Sequence, residues 1–277
     1  MRCIAVANQK GGVGKTTTCV NLAAALAGMK CRVLLVDLDP QGNATVGCGL
    51  QSRGLLVSSY DVLVGSHSIE QVRFQLAELG FDLLPSNGDL TAAEVALLRQ
   101  DEREYALKRA LLGVTGQYDW IIIDCPPSLN ILTLNALAAA DSVLIPMQCE
   151  YYALEGLTAL LETIKQVRAS VNPRLEIEGL LRTMYDVRNN LSAAVSDQLL
   201  ENFGDKVYRT VVPRNVRIAE APSYGLPVMH YDAASKGALA YIGLAGEMLR
   251  RYDRKSTPGA GPGHPGPPVS GLTELPT

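Results

Sequence analysis

The sequence lacks any uninterrupted apolar stretch of about 18 residues, the length that a membrane-spanning helix needs. It also lacks an excess of positive charge, since 25 lysines and arginines stand against 28 aspartates and glutamates, for a formal net charge of -3. A membrane-spanning helix is therefore excluded on length. The charge balance argues against DNA binding, unless basic side chains are concentrated in a local patch.

Paired cysteine motifs are missing as well. The six cysteines form no C-x-x-C pair, and the chain enters an apolar strand pattern at once, without the pattern of a signal peptide. We therefore expect free thiols in a reducing cytoplasm. Because cysteine is readily buried, these thiols are expected to be small core side chains rather than ligands.

What the sequence does contain is apolar segments of strand length that alternate with segments of helical spacing. The strand-like segments are "CIAVAN", "RVLLVDLD", "YDWIIIDCPP", "DSVLIPMQ" and "IEGLLRTMYD". The helix-like segments are "TTTCVNLAAALAGMK", "LNILTLNALAAA" and "LEGLTALLETIKQVRASV". Nearly continuous apolar residues are typical of strands that are covered on both faces. The alternation predicts an α/β fold, a doubly wound, mainly parallel sheet with helices on both faces and a site at the carboxyl ends of its strands.

The composition changes near the end of the chain. A last helical segment, "SKGALAYIGLAGEMLRRYD", is followed by "RKSTPGAGPGHPGPPVSGLTELPT", which is too rich in proline and glycine to bury a core. We expect a single domain over residues 1–252 and a disordered tail over residues 253–277.

A glycine-rich stretch, "NQKGGVGKTT" at residues 8–17, stands between the first strand and the first helix. Its glycines let the backbone turn tightly and point N–H groups inward, which suits an anion at a helix N-terminus. In such a loop Lys15 neutralises the β- and γ-phosphates of a nucleotide, and the Thr16 hydroxyl binds Mg²⁺. Contacts with ATP or ADP are predicted for Gly11, Gly12, Val13, Gly14, Lys15, Thr16 and Thr17.

Aspartates follow two of the apolar strands. Asp37 and Asp39 end the segment "VLLVDLD", and Asp124 ends "WIIID". A buried strand that delivers a fixed negative charge to the carboxyl edge of a sheet suits Mg²⁺ and its waters. A single aspartate in such a place is often only a turn or helix cap. Three of them beside a phosphate loop favour a metal site.

The glycine-rich loop departs from the common template G-x-x-x-x-G-K-[ST], which has a glycine where this chain has Gln9. With its leading lysine, "KGGVGKTT" resembles the deviant Walker A motif of the ParA and MinD ATPases. The resemblance implies that Lys10 reaches across a two-fold homodimer to the partner's nucleotide, where its charge acts like an arginine finger. It also implies that Asp124 is the Walker B residue, that Asp39 orients the attacking water, and that Asp37 supports the metal shell.

The similarity covers roughly residues 2–252 and is strongest to the chromosome-partitioning branch called ParA or Soj, through "VDLDPQGNAT", "MYDVRNNLS" and "VVPRNVRIAEAPSYGLPV". It implies a Mg²⁺-dependent ATPase that converts ATP and water to ADP and phosphate. In that branch the "PRN" segment packs against adenine, so Pro213 and Asn215 are candidate base contacts. A proline after a β-rich run is also a common strand terminator, and both interpretations of Pro213 stay open.

The same branch binds duplex DNA without sequence preference, as an ATP-bound dimer. Arginines that match Arg188 and Arg217 contact the phosphate backbone there, although isolated arginines taken alone are more often a solvated face. Four further basic residues extend the predicted patch, namely Lys206, Lys236, Arg250 and Arg251. The resemblance also implies chromosome or plasmid segregation with a ParB-type centromere-binding protein, in the cytoplasm and in association with the nucleoid.

Other functions of the same loop need features that are weak here. A MinD-like ATPase acting at a membrane or cargo would need a detachable amphipathic C-terminal helix with a basic face, whereas the last helix carries Gly237, Gly243 and Gly246. A reductase or scaffold ATPase with an iron–sulfur cluster would need bridging cysteines, for which Cys125 in "DCPP" is the one candidate. An operator-binding plasmid protein would need a helix-turn-helix before residue 8. We therefore expect neither membrane attachment nor operator binding.

Overall fold

The computed structural model describes residues 1–151 and 153–256. Its last helix, α12 (Lys236–Ser256), continues past residue 252, where the sequence analysis places the end of the domain. Residues 257–277 of the expected tail lie outside the described residues. Among the helices of the described residues, none combines the length and the apolar character that crossing a bilayer requires.

The strands of the described residues build one sheet. In chain order they are β1 (Arg2–Val6), β2 (Val33–Asp37), β3 (Phe74–Leu76), β4 (Phe81–Leu84), β5 (Trp120–Asp124), β6 (Ser142–Gln148), β7 (Glu176–Tyr185) and β8 (Val207–Pro213). Their order in the sheet is β3-β4-β2-β5-β1-β6-β7-β8. Neighbouring strands are parallel, except that β3 and β4 are antiparallel. The predicted doubly wound, mainly parallel sheet is confirmed.

Helices lie between the strands along the chain. Those before α12 are α1 (Lys15–Gly28), α2 (Asn43–Gly47), α3 (Ser59–Val64), α4 (Ile69–Val72), α5 (Leu90–Leu97), α6 (Ala106–Leu112), α7 (Ile131–Ala139), α8 (Ala153–Ser170), α9 (Asn190–Phe203), α10 (Val216–Glu220) and α11 (Val228–Tyr231). The segments with helical spacing in the sequence form α1, α7, α8 and α12. Among the remaining helices, α9 has 14 residues, as many as α1, and was not predicted. The others are short and depend on capping and tertiary contacts rather than on a long apolar pattern.

Hydrophobic cores lie on both faces of the sheet, which explains the continuous apolar strands. Along β1, Ile4 and Val6 belong to one core, whereas Cys3 and Ala5 belong to the other. The first core is closed by α1 and α12, and the second by α7 and α8. Because both faces are covered, successive strand residues are apolar, and the alternation typical of a one-sided sheet is absent.

Three strands, β3, β4 and β8, are not among the five segments that the sequence predicts as strands, and two of them, β3 and β4, are very short. β3 has three residues, of which Phe74 and Gln75 are exposed, and β4 has four residues. Segments this short give too few residues for a recognisable apolar run. Pairing of β4 with β2 and of β3 with β4 holds them in the sheet.

The central strands bring three chain segments to one edge of the sheet. β1 lies between β5 and β6, and β5 also pairs with β2. In the register, Asp124 at the end of β5 lies opposite Val6 of β1 on one side and Asp37 of β2 on the other. The loop that follows β1 and these two aspartates therefore meet at the carboxyl edge, where parallel α/β sheets hold their ligands.

Candidate functional site

The segment between β1 and α1 forms a tight turn at the N-terminus of α1. Gly12 and Gly14 have φ angles of +73° and +87°, in the left-handed region that favours glycine, and Gly14 is the N-cap residue of the helix. The carbonyl of Val13 accepts a hydrogen bond from Thr183 Oγ1 at 2.8 Å, which ties the turn to β7. The turn thus leaves the first N–H groups of α1, with the partial positive charge of a helix N-terminus, at the cavity described below.

Lys15 supplies the buried cation of this turn. Its side chain belongs to a residue that is only 7% exposed, and Nζ donates a hydrogen bond to the carbonyl oxygen of Lys10 at 3.2 Å. Burial lowers the pKa of the ammonium group, whereas the carboxylates of Asp124 and Asp39 act in the opposite direction. A cation held this way is fixed in place before any phosphate arrives, so little side-chain entropy is lost on binding.

Asp37 is fully buried, and both of its carboxylate oxygens are occupied by protein donors. Oδ1 accepts a hydrogen bond from the backbone N–H of Asp39 at 3.1 Å. Oδ2 accepts two from Thr45, from the backbone N–H at 2.8 Å and from Oγ1 at 2.7 Å. Burial raises the pKa of Asp37, and these hydrogen bonds oppose the shift. In this arrangement Asp37 anchors the chain that leads from β2 into α2.

Asp124 differs from Asp37 in having an oxygen without a partner. Oδ1 accepts a hydrogen bond from the thiol of Cys19, with 3.4 Å between Sγ and Oδ1, whereas Oδ2 is buried and has no hydrogen-bond partner. Burial raises the pKa of Asp124, and the nearby charge of Asp37 raises it further. Because an unpaired buried carboxylate oxygen is costly, Oδ2 indicates a ligand.

The donor set at this edge fits a magnesium ion. Mg²⁺ prefers hard oxygen ligands, and the orphan Oδ2 of Asp124 and the hydroxyl of Thr16 supply them. When bound, the ion would neutralise developing negative charge on phosphate oxygens. The role of Asp37 in the metal shell stays a prediction, since its oxygens already bind Asp39 and Thr45.

Asp39 lies where the loop after β2 borders the cavity. Its Oδ1 accepts a hydrogen bond from the backbone N–H of Gln41 at 3.0 Å, and its carbonyl oxygen accepts one from Ser86 Oγ at 2.7 Å. The residue is 8% exposed. Its carboxylate is thus held in place on one oxygen, a geometry compatible with orienting a water molecule.

A cavity of about 510 Å³ brings these groups together, within the roughly 300–1,000 Å³ typical of small-molecule sites. Its lining combines the phosphate loop and Asp39 with several apolar side chains. The lining residues are Gly11, Gly12, Gly14, Lys15, Thr16, Thr17, Val20, Asn21, Asp39, Gln41, Asn43, Val46, Gly47, Pro127, Met184, Pro222 and Leu226.

The two candidate adenine contacts do not line this cavity. Pro213 ends β8, and Asn215 caps α10 by accepting a hydrogen bond from the N–H of Ile218 at 3.3 Å. The apolar part of the lining instead includes Pro222 and Leu226. The sequence signal for these residues is the loop "APSYGLP", whose Pro-Gly content marks an irregular connection close to the motif already singled out.

This connection is locked to the loop after α2 by two glycines. Gly225 has a φ angle of +66°, and a methyl group at its Cα would lie 2.5 Å from the Cα of Gly49 and 3.0 Å from its nitrogen. Gly49 itself has a φ angle of +87°. Only glycine permits both the conformation and the approach, so the contact sets where Pro222 and Leu226 stand at the cavity wall.

Gly225→Ala is therefore expected to destabilise the fold by about 1–3 kcal/mol and to weaken nucleotide binding, because backbone strain and a backbone contact act together. Urea unfolding and nucleotide titration measure the two effects. Gly54→Ala is the matched control, since Gly54 has a φ angle of +91° but nothing within 4 Å of an added methyl group. Equal losses of stability in both variants would remove the contact with Gly49 from the explanation.

Lys10 is placed differently from Lys15. Its Nζ forms an ion pair with Glu150 Oε2 at 2.6 Å, and the two side chains are 41% and 49% exposed. Lys10 borders the cavity through its neighbour Gly11 but is not part of the lining. The sequence analysis missed Glu150, which lies 140 residues away along the chain. The exposed ammonium group is thus held outside its own nucleotide cavity.

The predicted DNA-contact residues fall into two groups. Arg188 and Arg217 follow the carboxyl ends of neighbouring strands, where Tyr185 of β7 pairs with Pro213 of β8. Lys236, at the start of α12, belongs with them, because the adjoining backbone lies against a side chain of α10. These three residues are on the same edge of the sheet as the nucleotide cavity.

The other predicted basic residues lie at the far end of α12. Lys206, Arg250 and Arg251 line a cleft of about 490 Å³, together with Arg209 and Arg254, which the sequence analysis missed, and with acidic side chains. The rise of a helix separates Arg250 from the start of α12 by about 21 Å. The predicted patch is therefore not one continuous surface.

Ion pairs within the chain already occupy the two arginines of the first group. Arg188, whose side chain is 86% exposed, binds Asp186 at 2.7 Å. Arg217 binds Glu220 at 2.9 Å and Asp232 at 3.2 Å. Exposed ion pairs of this kind are weak because water and salt screen them, so a phosphate group can replace the carboxylate at small cost.

The chain matches known proteins over most of its length. A family model described as an AAA domain matches residues 1–177. The chromosome partitioning protein ParA of Caulobacter vibrioides is 50% identical over 259 residues, which cover 92% of this chain and 97% of that protein. The sporulation initiation inhibitor protein Soj of Bacillus subtilis is 52% identical over 247 residues, covering 89% and 98%.

Solved structures share the fold. The crystal structure of cobyrinic acid a,c-diamide synthase from Mycobacterium smegmatis with bound ADP and magnesium has a TM-score of 0.81 at 42% identity, covering 92% of this chain and 96% of that one. The cell division ATPase MinD of Pyrococcus furiosus has a TM-score of 0.74 at 26% identity, covering 90% and 99%. The likeness is one of whole folds rather than of the glycine-rich loop alone.

Proposed function

This chain belongs to the ParA/Soj family of chromosome-partitioning ATPases, and on that basis we propose that it segregates DNA by cycling between two states. One state is an ATP-bound homodimer that associates with duplex DNA, and the other is an ADP-bound free monomer. ATP hydrolysis converts the first into the second. We assign the cycle to the domain predicted over residues 1–252.

ATP and Mg²⁺ are the substrate and the metal of this cycle because the cavity offers a partner for each. The N-terminus of α1 and the ammonium group of Lys15 match the negative charge of phosphates. The unpartnered Oδ2 of Asp124 matches a divalent cation. The related synthase from Mycobacterium smegmatis holds ADP and magnesium in the same fold.

The observation that carries the dimer is the position of Lys10. Its ammonium group is exposed and bound to Glu150, outside the cavity that its own loop forms. A cation in that position serves a second subunit better than its own phosphates. Transfer of Lys10 from Glu150 to the partner's nucleotide would couple ATP binding to assembly, as for an arginine finger supplied in trans.

Nonspecific DNA binding is supported by the exposed basic side chains at the same edge of the sheet. Arg188 lies in the loop after β7 and Arg217 lies in the five-residue helix α10, and their present partners are carboxylates. Such side chains bind phosphate oxygens, which position a protein on DNA without reading its sequence. A dimer presents each of them twice, so a net acidic chain can still bind a duplex.

The double variant Arg188→Ala/Arg217→Ala is expected to weaken ATP-dependent binding to any duplex while ATP binding and dimerisation stay unchanged. Removing one phosphate interaction lowers the slope of log K against log salt by about 0.9, or roughly 1.8 per residue in a dimer. Titrations of duplex DNA at several salt concentrations, with ATP or ADP present, measure both the slope and its nucleotide dependence.

Arg32→Ala is the matched control for this experiment. Arg32 is also an exposed arginine in an ion pair, with Asp119 at 2.7 Å, but it precedes β2 at the opposite edge of the sheet. Its replacement should leave the slope unchanged. A double variant that kept the parent's affinity and slope would show that Arg188 and Arg217 are solvated surface charges that do not contact DNA.

We further propose a ParB-type protein as the partner that stimulates hydrolysis, and nucleoid association in the cytoplasm through the DNA contacts. Family membership supports both. ATP turnover measured with duplex DNA and with a purified ParB-type protein of the same organism tests the partner. No stimulation over DNA alone would oppose it.

The alternative functions lose support from the packing. Cys125 is 1% exposed and its thiol donates to the carbonyl of Ile123 at 3.9 Å, so it is not at a surface that could bridge subunits through a cluster. Helix α12 buries Tyr241, Leu244 and Met248 against the sheet, and its detachment to a membrane would open that core. An optical spectrum free of iron–sulfur absorption and no ATP-dependent vesicle binding are the expected results.

A further inference from the structure

Cys19 lies on α1, four residues after Lys15 of the phosphate loop. It is fully buried, and its thiol donates a hydrogen bond to Oδ1 of Asp124, with 3.4 Å between Sγ and Oδ1. Thr16 lies three residues earlier on the same face of the helix, and its hydroxyl acts to lower the pKa of Asp124. One helix face thus holds the carboxylate that ends β5.

The carboxylate needs such donors because its own torsion does not set its orientation. The χ2 torsion of aspartate has a broad, roughly two-fold distribution, so the plane of the group is soft. Asp37 is fixed by hydrogen bonds on both oxygens, whereas Oδ2 of Asp124 is buried without a partner. A donor on Oδ1 orients the group and keeps the other oxygen free.

We propose that Cys19 is a positioning residue, whose thiol holds Oδ1 of Asp124 so that Oδ2 stays available to Mg²⁺. The inference rests on the proposed function in one respect, that the cavity binds a magnesium–nucleotide complex. On this proposal the Cys19 thiol orients a metal ligand, in addition to packing in the core. Cys19 does not touch the nucleotide cavity and acts only through Asp124.

Magnesium titrations separate this role from packing. The affinity for a nonhydrolysable ATP analogue is measured at increasing Mg²⁺ and, separately, in EDTA. Cys19→Ala and Cys19→Val remove the donor, and they should raise the Mg²⁺ concentration at half-saturation about fivefold, the effect of losing one hydrogen bond. Binding in EDTA should not change, because the phosphate loop and Lys15 are untouched. Cys19→Ser restores a donor and should stay within about twofold of the parent.

Cys125→Ala is the matched control, because Cys125 is equally buried and adjacent to Asp124 but donates to the carbonyl of Ile123. It should leave the Mg²⁺ dependence unchanged. Urea unfolding shows that each variant is folded. Parental Mg²⁺ dependence in both Cys19→Ala and Cys19→Val, or a rise in Cys19→Ser as large as in Cys19→Val, would overturn the inference. A parent protein whose nucleotide binding ignored Mg²⁺ would overturn the proposed function itself and this inference with it.

Discussion

Lys15→Ala is expected to remove ATP binding, with a loss of roughly 100-fold or more in affinity. Lys15 is a buried cation at the cavity wall, and each charge-assisted hydrogen bond that it donates to the β- or γ-phosphate would contribute about 1.5–3 kcal/mol. Its removal also leaves the carboxylates of Asp39 and Asp124 without their nearby positive charge. Calorimetric titration with a nonhydrolysable ATP analogue measures the loss.

Lys10→Ala is expected to impair dimerisation and hydrolysis rather than nucleotide binding. Monomeric nucleotide binding should persist, because Lys10 does not line its own cavity, while the ATP-dependent dimer disappears and hydrolysis falls about 10³-fold. Light scattering with ATP, beside a phosphate-release assay, shows both effects.

Glu150→Gln is the control for the lysine experiment, since it removes the partner of Lys10 within the chain and keeps Lys10 itself. It should dimerise at least as readily as the parent. A Lys10→Ala protein that still dimerised and hydrolysed ATP normally would exclude a role in trans, and the ion pair with Glu150 would then be an ordinary surface contact.

The second large effect is expected for Asp39→Ala, which should lower turnover by about 10²–10⁴-fold and leave the ATP-bound dimer intact. Orienting a water molecule matters for the chemical step alone, whereas phosphate and metal contacts drive binding. Single-turnover hydrolysis and light scattering, measured on the same preparation, separate turnover from assembly.

Asp39→Asn distinguishes the chemical role from a structural one. The amide keeps an acceptor for the N–H of Gln41, which Oδ1 of Asp39 now binds at 3.0 Å, but it loses the charge. Turnover should stay as low as in Asp39→Ala. Nucleotide affinity lost as severely as in Lys15→Ala would instead reassign Asp39 to the metal or to the structure of the loop.

The fold was accessible from the sequence because its main determinants are local patterns of burial. Five apolar runs separated by helical segments are enough to predict a covered, mainly parallel sheet. The strands β3, β4 and β8 were not predicted. β3 and β4 have only three or four residues, too few to show a period, and the apolar pattern of β8 is broken by partly exposed residues. The sequence also did not predict that α12 continues past residue 252, because the charged C-terminal end of this helix resembles a linker in composition.

The candidate site was only partly accessible. Gly12, Gly14 and Lys15 act through their own backbone and side chains within one short turn, so a motif identifies them. Pro213 and Asn215 were predicted as adenine contacts, but they do not line the cavity, whereas Pro222 and Leu226 do. These residues are close along the chain but lie in different surroundings, because a helix cap and a contact between two glycines determine the path of the loop.

By itself, then, the sequence determined the phosphate loop, the strand-end aspartates and the family, because each depends on neighbours a few positions apart. Tertiary structure alone decided which aspartate oxygen lacks a partner and which thiol orients its carboxylate, a contact that spans 105 positions between Cys19 and Asp124. It also decided that Lys10 forms an ion pair with Glu150. The predicted basic residues form two groups, whose members on α12 are separated by about 21 Å along that helix. Contacts across such distances are set by how the sheet and its helices pack, and no local pattern encodes them.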